Sequence, residues 1–285
     1  MPLYYSYMMP RTIFSVLRLL FFKIAIFVLF ISSMPVSCIE YHPYDTNVDG
    51  ETGINNKNIE RIESACRYKK SIKFAIISDT QRWYDETKMA VDDINGRTDV
   101  DFVIHAGDIS DFGMRKEFEW QRDILNKLNV PYVVIIGNHD CLASGDNNFR
   151  KIFGEFNFAF TAGDVRFICM NTNALEFGHE VNIPDFDFIE KQLMDFPTDA
   201  AKTVFAMHAA PYSDQFNSNA AKVFQYAIRK FPNLQFCVNG HDHQFRENEI
   251  FNDGVIYFEC ANVQKSAYLL FCVNEEGYTY EKVEF

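Results

Sequence analysis

Gly107-Asp108-Ile109-Ser110-Asp111 decides how the chain is read. The pentapeptide follows an apolar run, residues 100–104, with the length and composition of a buried strand, and it opens a short polar loop. Other runs end the same way. Residues 72–78 lead into Asp79-Thr80-Gln81, and residues 131–136 lead into Gly137-Asn138-His139-Asp140. Residues 203–207 lead into His208, and residues 234–238 into Gly240-His241-Asp242-His243. Strands that each terminate in Asp, Asn or His describe a sheet whose carboxyl ends converge on one site.

Working outward, helical patterns alternate with these strands. Residues 86–94 and 115–128 read as helices, the second carrying Phe118, Ile124 and Leu128 near one stripe. Residues 156–160 and 165–171 read as a hairpin turned by Thr161-Ala162-Gly163-Asp164. Residues 185–194, with Pro184 near the start, and 220–230 are further helices. The tail from Gly254 is strand-rich, over 255–260, 267–273 and 278–285, with Glu275-Glu276-Gly277 as a hairpin turn. Alternating β/α followed by antiparallel β predicts an α/β fold of two packed sheets flanked by helices.

The chain has 285 residues, enough for a sizeable core, and its 29 Phe and 14 Tyr argue against extensive disorder. Formal charge is −12, and the only charged groups in residues 1–37 are Arg11, Arg18 and Lys23. Residues 38–285 therefore hold 24 basic and 39 acidic residues, a charge of −15. That field repels nucleic acid and disfavours a nuclease, but it does not exclude a small phosphate ester held by metals.

Residues 1–37 have the basic, apolar and small-residue order of an export signal, with Ser37 standing before Cys38. Cys38 after the cleavage point resembles a bacterial lipoprotein signal, in which that Cys is acylated and becomes the mature N-terminus. The competing reading is an uncleaved membrane anchor, and either predicts an exported, membrane-attached protein. Residues 38–70 read as a tether, because 45–58 is rich in Asp, Asn, Gly and Thr. Cys169, Cys237 and Cys272 lie in apolar runs and read as core. Whether Cys66, Cys141 and Cys260 pair is left open.

A phosphate ester resists hydrolysis because its anionic oxygens repel a nucleophile and water is a poor one. Two adjacent metal ions answer both difficulties, and a bridging carboxylate is the natural way to hold them. The order DxQ, GDxxD, GNHD, a His before Ala-Ala-Pro, then GHxH resembles the calcineurin-like metallophosphoesterase superfamily, across roughly residues 71–285. The resemblance implies a four-layer α/β/β/α sandwich and attack of metal-bound hydroxide on a phosphomonoester or phosphodiester at a dinuclear centre. Carried over by position, Asp79, Asp108 and His243 would hold one metal. Asp108, Asn138, His208 and His241 would hold the other. The metals would be divalent, from among Mn, Fe, Zn and Mg. His139 would protonate the leaving oxygen, oriented by Asp111 in a His–carboxylate dyad, and Asp140 would brace a ligand.

Gln81 departs from the pattern, since most of the superfamily has His there. It is read first as an oxygen ligand favouring Mn or Mg, then as a substrate or water contact, and last as the mark of a weakened first site. That last reading is the whole support for an alternative function, a surface binding protein that keeps the fold. Arg82 is a candidate to pair with phosphate, and Trp83 or Tyr84 to stack on a base or sugar, with Tyr212 a weaker candidate of that kind. His105 is expected beneath the site, and His42 and His179 at the surface. No Ser-His-Asp arrangement, Walker loop or dinucleotide fingerprint competes.

Overall fold

The computed structural model describes residues 11–32, 42, 44–178 and 182–285. Residues 35–37, Cys38 and His179 lie outside the described residues. The chain divides into two compact units, Met1–Tyr41 and His42–Phe285. The described part of the first is one helix, α1 (Arg11–Ser32). Among the described residues, no helix is long and apolar enough to cross a membrane.

In the second unit, α2 (Ile54–Cys66) precedes β1 (Ile72–Ile77), α3 (Tyr84–Gly96), β2 (Phe102–His105), α4 (Arg115–Leu125), β3 (Tyr132–Val134) and α5 (Gly145–Ile152). The hairpin β4 (Phe158–Ala162) and β5 (Val165–Met170) follows, then α6 (Ala174–Phe177) and α7 (Phe186–Met194). Next come β6 (Lys202–Met207), α8 (Ala221–Ile228) and β7 (Leu234–Asn239). The chain ends with β8 (Arg246–Asn248), β9 (Tyr257–Glu259), β10 (Ala267–Asn274) and β11 (Gly277–Glu284). One sheet runs β11-β10-β1-β2-β3 and the other β4-β5-β6-β7-β9-β8.

Strand parity explains the layers, because successive side chains point to opposite faces. From β1, Phe74 and Ile76 enter the core between the sheets, while Ala75 and Ile77 face the helices. From β6, Val204 and Ala206 face the first sheet, while Phe205 and Met207 pack against Phe224 and Ile228 of α8. Both faces are buried, so these strands read as unbroken apolar runs. Phenylalanines fill the inner layer: Phe74 stacks on Phe102 at 5.2 Å and meets Phe167 edge-on at 5.0 Å. The fold is thus two mixed sheets flanked by helices.

Three expectations are corrected. The predicted tether contains α2, and Ile62 and Cys66 of that helix are wholly buried in the inner core. Its asparagines look like loop residues because they do a strand's work. Asn55 exchanges hydrogen bonds with the Val134 main chain at 2.8 and 2.9 Å, and Asn58 donates to Tyr132 O at 2.8 Å. They cover the edge of β3, whose open N–H and C=O groups would otherwise invite pairing. The acidic residues just before α2 are also docked, with Arg115 of α4 bonded to Asp45 at 2.9 Å and Asp49 at 2.8 Å. Second, the tail is not wholly antiparallel: β9 runs parallel to β7, whereas β10 returns to pair antiparallel with β1. Third, the hairpin turn is only Gly163-Asp164, the strands running to Ala162 and from Val165. The six cysteines among the described residues are free thiols.

If α2 is part of the core, Ile62→Ala should cost about 2–5 kcal/mol, read from urea denaturation. A cost well under about 1 kcal/mol would show that α2 undocks as a tether does.

Candidate metal centre and active site

β1, β2 and β3 are mutually parallel, as are β6 and β7, so their carboxyl ends present the polar loops along one edge. The backbone there is strained. Asp79 (φ 52), Asp108 (φ 55), His241 (φ 85) and His243 (φ 58) occupy the left-handed region. Non-glycine residues in that region cluster where surrounding structure holds them for function. Two glycines let the loops approach one another. A Cβ on Gly137 would lie 2.1 Å from Asp108 N, and one on Gly240 would lie 2.0 Å from Ser78 Oγ.

One group forms around Asp79, Asp108 and His243, whose ligand atoms all lie within 4.8 Å of one another. Asp79 Oδ2 accepts from Ser78 Oγ at 2.5 Å and from His241 N at 3.2 Å. Asp79 Oδ1 is buried with no hydrogen bond, yet His243 Nε2 stands 3.1 Å away. Two ligand atoms this close suit a pair that shares a cation. Gln81 reaches this group, its Nε2 3.4 Å from Asp108 Oδ2, and its Oε1 is likewise buried without a partner. Turning that amide over would offer an oxygen in place of the nitrogen.

A second group forms around Asn138. Its Oδ1 lies 3.0 Å from His208 Nε2 and 3.1 Å from His241 Nδ1, and His208 Nε2 is 3.4 Å from Asp108 Oδ2. The far nitrogens are also taken, His208 Nδ1 by Ala106 O at 2.8 Å and His241 Nε2 by Asp214 Oδ1 at 2.6 Å. Each ring therefore meets an oxygen at both nitrogens, which calls either for an imidazolium or for a cation at one of them. A cation among Asn138 Oδ1, His208 Nε2, His241 Nδ1 and Asp108 Oδ2 would suit both rings in their neutral form. The residues fit two divalent ions that share Asp108.

Charge follows the same lines. Burial alone would push Asp108 up, but His208 and the His139 main chain hold it below the usual carboxylate range. Burial would lower His208, and the Asp108 and Asp79 carboxylates overcome this and raise it to about 10. Asp140 is pushed up to about 7 by burial and by Asp108. It braces the loops, accepting from Ser110 N and Gly137 N at 2.8 Å and from Ser110 Oγ at 2.9 Å. His105 is buried beneath the site, where burial lowers it to about 4 and Thr80 Oγ1 lies 2.8 Å from its Nε2.

His139 differs from expectation. Its Nδ1 donates to the Asp111 main-chain carbonyl at 2.8 Å, while the Asp111 carboxylate is 3.9 Å away. The carboxylate instead pairs with Arg82. The dyad is thus a His–carbonyl contact, which still fixes the tautomer and leaves Nε2 outward. Tyr84 begins α3, meets Trp120 edge-on at 5.7 Å, and burial raises it to about 12. Trp83 opens the same helix, its carbonyl accepting from Thr87 Oγ1 at 2.7 Å. His42 is exposed, as expected. Asp214 escaped sequence reasoning, since nothing in Ser213-Asp214-Gln215 distinguishes it from an ordinary loop acid.

Two outcomes are expected. Asp214→Ala should weaken the cation held at His241 by about tenfold in metal titration, with Asp214→Asn, which keeps an acceptor oxygen, affected less. Unchanged affinity in both would deny Asp214 a role. His208 is raised above its ordinary 6.5, so its stabilising proton is fully present below that pH and is lost as pH rises toward about 10. A cation competes with that proton, so the rise in Tm on adding Mn²⁺ to metal-stripped protein should grow from about pH 6.5 to 9. A rise independent of pH would remove His208 from the ligand set.

Comparison with known proteins agrees with this geometry. The calcineurin-like phosphoesterase family profile matches residues 72–245. A 3′,5′-cyclic-nucleotide phosphodiesterase from Nostoc sp. is 26% identical over 159 residues, covering 52% of this chain and 58% of that protein. The chain thus matches just over half the length of that relative. A dimetal phosphatase from Danio rerio superposes with a TM-score of 0.62 at 14% identity, over 75% of this chain and 97% of that one. A purple acid phosphatase from yellow lupin seeds superposes with a TM-score of 0.59 at 13% identity, over 75% of this chain and 51% of that one. These superpositions show a shared fold. With most of its sandwich inside the profile and its strand-end acids, amides and histidines on one edge, the chain belongs to the calcineurin-like phosphoesterase family.

Proposed function

We propose that the chain is a metal-dependent phosphoesterase that hydrolyses a mono- or diester of phosphoric acid at a site for two divalent cations. One observation carries the reading: two groups of donor atoms converge on the shared carboxylate of Asp108, with a buried oxygen of Asp79 facing only the His243 ring and one of Gln81 left without a partner. Asp79, Asp108 and His243, joined by the amide of Gln81, would hold one cation. Asp108, Asn138, His208 and His241 would hold the other. Bound divalent ions neutralise phosphate charge and lower the pKa of a coordinated water.

The chain's own groups supply the rest. Asp140 keeps the Asp108 and Asn138 loops in register through its main-chain and hydroxyl donors. The Asp111 carbonyl holds the His139 ring so that Nε2 can protonate the leaving oxygen. Arg82, tied to Asp111, keeps a fixed positive charge near that histidine and suits a phosphate oxygen. The relative named above favours a cyclic nucleotide as substrate class, hence a diester. The basic and apolar residues ahead of Cys38 support an exported, lipid-anchored location. Labelled palmitate should enter the wild type and not Cys38→Ala.

The central test strips the protein of metal, restores Mn, Zn, Mg or Fe, and assays p-nitrophenyl phosphate beside bis(p-nitrophenyl) phosphate. Metal-dependent release should vanish in Asp108→Asn. His139→Ala should lower kcat by about 10²–10⁴ with metal content retained. Release that survives Asp108→Asn would refute the proposal, and metal loss in His139→Ala would refute the acid assignment.

A further inference from the structure

A cavity of about 240 Å³ opens beside His241, between the loop after β6 and the loops around β8 and β9. It shares His241 with the Asn138 group, so an ester held at the cations stands at its mouth. Pro211, Tyr212 and Ile250 make one wall, and Ser213, Asn248 and Glu259 contribute polar groups. Tyr212 is 49% exposed, its backbone is left-handed (φ 69), and its ring leans on Phe251 at 5.6 Å. An exposed ring fixed by a second aromatic and a strained backbone is a platform for stacking, which any flat heterocycle satisfies.

The ionisable side chains of the lining, besides His241 and Tyr212, are both acids. Asp242 and Glu259 line the cavity and no Lys or Arg does. Arg246 is committed to Asp242 at 2.8 Å and lies 3.6 Å from Glu259. Glu259 is 3% exposed and accepts from Gln244 N at 3.3 Å, so its carboxyl keeps acceptor capacity for hydroxyl or amino donors. Ser213 Oγ is buried without a hydrogen-bond partner. Such a lining offers no Lys or Arg to a second phosphate, and the volume is below the ~300–1,000 Å³ usual for drug-sized ligands, which disfavours a lipid chain or peptide.

We propose that this cavity receives the organic group of the phosphate ester, and that the group is a neutral nucleoside stacked on Tyr212 with its donors toward Glu259 and Ser213. The assignment rests on the phosphoesterase reading but is tested apart from it, with adenosine, which carries no phosphate. Calorimetry on the full-length, Mn²⁺-loaded protein should show adenosine binding that Tyr212→Ala weakens by about tenfold or more and Tyr212→Phe restores. Glu259→Gln should weaken adenosine while changing the affinity for inorganic phosphate far less. Adenosine binding that is absent in the wild type, or equal in wild type and Tyr212→Ala, overturns the proposal. Loss of adenosine and phosphate binding together in Tyr212→Ala also overturns it, since that marks collapse of the shared His241 site. If no ester is hydrolysed yet adenosine binding still depends on Tyr212, the phosphoesterase reading fails and the nucleoside pocket stands.

Discussion

Three carboxylates, Asp79, Asp108 and Asp140, are buried at 1% exposure or less within one small volume, and the rest of the edge is arranged around that fact. Buried like charges cost several kcal/mol each unless they are protonated, hydrogen-bonded or paired. The three are not compensated equally. Asp140 is surrounded by donors from Ile109, Ser110 and Gly137. Asp108 has one main-chain donor, from His139, and imidazole nearby. Asp79 has one oxygen bonded to Ser78 Oγ and His241 N and the other facing only the His243 ring at 3.1 Å. Asp140 thus has three main-chain donors while Asp108 and Asp79 have one each, and the less compensated charge at those two marks where cations belong. The left-handed backbones at Asp79, Asp108, His241 and His243 are part of the same arrangement, because they turn those side chains toward one another at the strand ends.

Much of this was legible in the sequence because strands and ligands both obey short-range rules. A buried strand in a two-faced sheet is a short apolar run, and the first polar residue after it lies on the sheet's edge. Asp79, Asp108, Asn138, His208, His241 and His243 could therefore be placed together without coordinates. Much of what was not legible lies in roles played by the main chain, or toward it. The Asp111 carbonyl orients His139, and no side-chain identity reports a carbonyl. Asn55 and Asn58 read as tether composition because their amides serve the edge of β3. Asp214 acts on a histidine 27 residues away in a loop of unremarkable composition. The contact between Tyr84 and Trp120 was likewise not legible, since the two rings are 36 positions apart and meet only because α3 packs on α4.

Gln81 is the place where sequence and structure must be argued together. Replacing an imidazole by an amide leaves the charge of the site unchanged, so the attraction for an anionic ester does not suffer. What changes is donor character, since an amide oxygen is harder than an imidazole nitrogen and favours Mn²⁺ or Mg²⁺ over Zn²⁺. With two divalent cations in the proposed positions, their charge outweighs the carboxylates of Asp79 and Asp108 that hold them. The centre would then be locally positive within residues 38–285, whose formal charge is −15. Such a contrast filters ligands. A long polyanion meets the outer field over its whole length, whereas a small ester meets it briefly before the cations dominate. The cavity beside His241 carries the filter one step inward, because its lining has no Lys or Arg and so leaves the cations as the favourable position for phosphate.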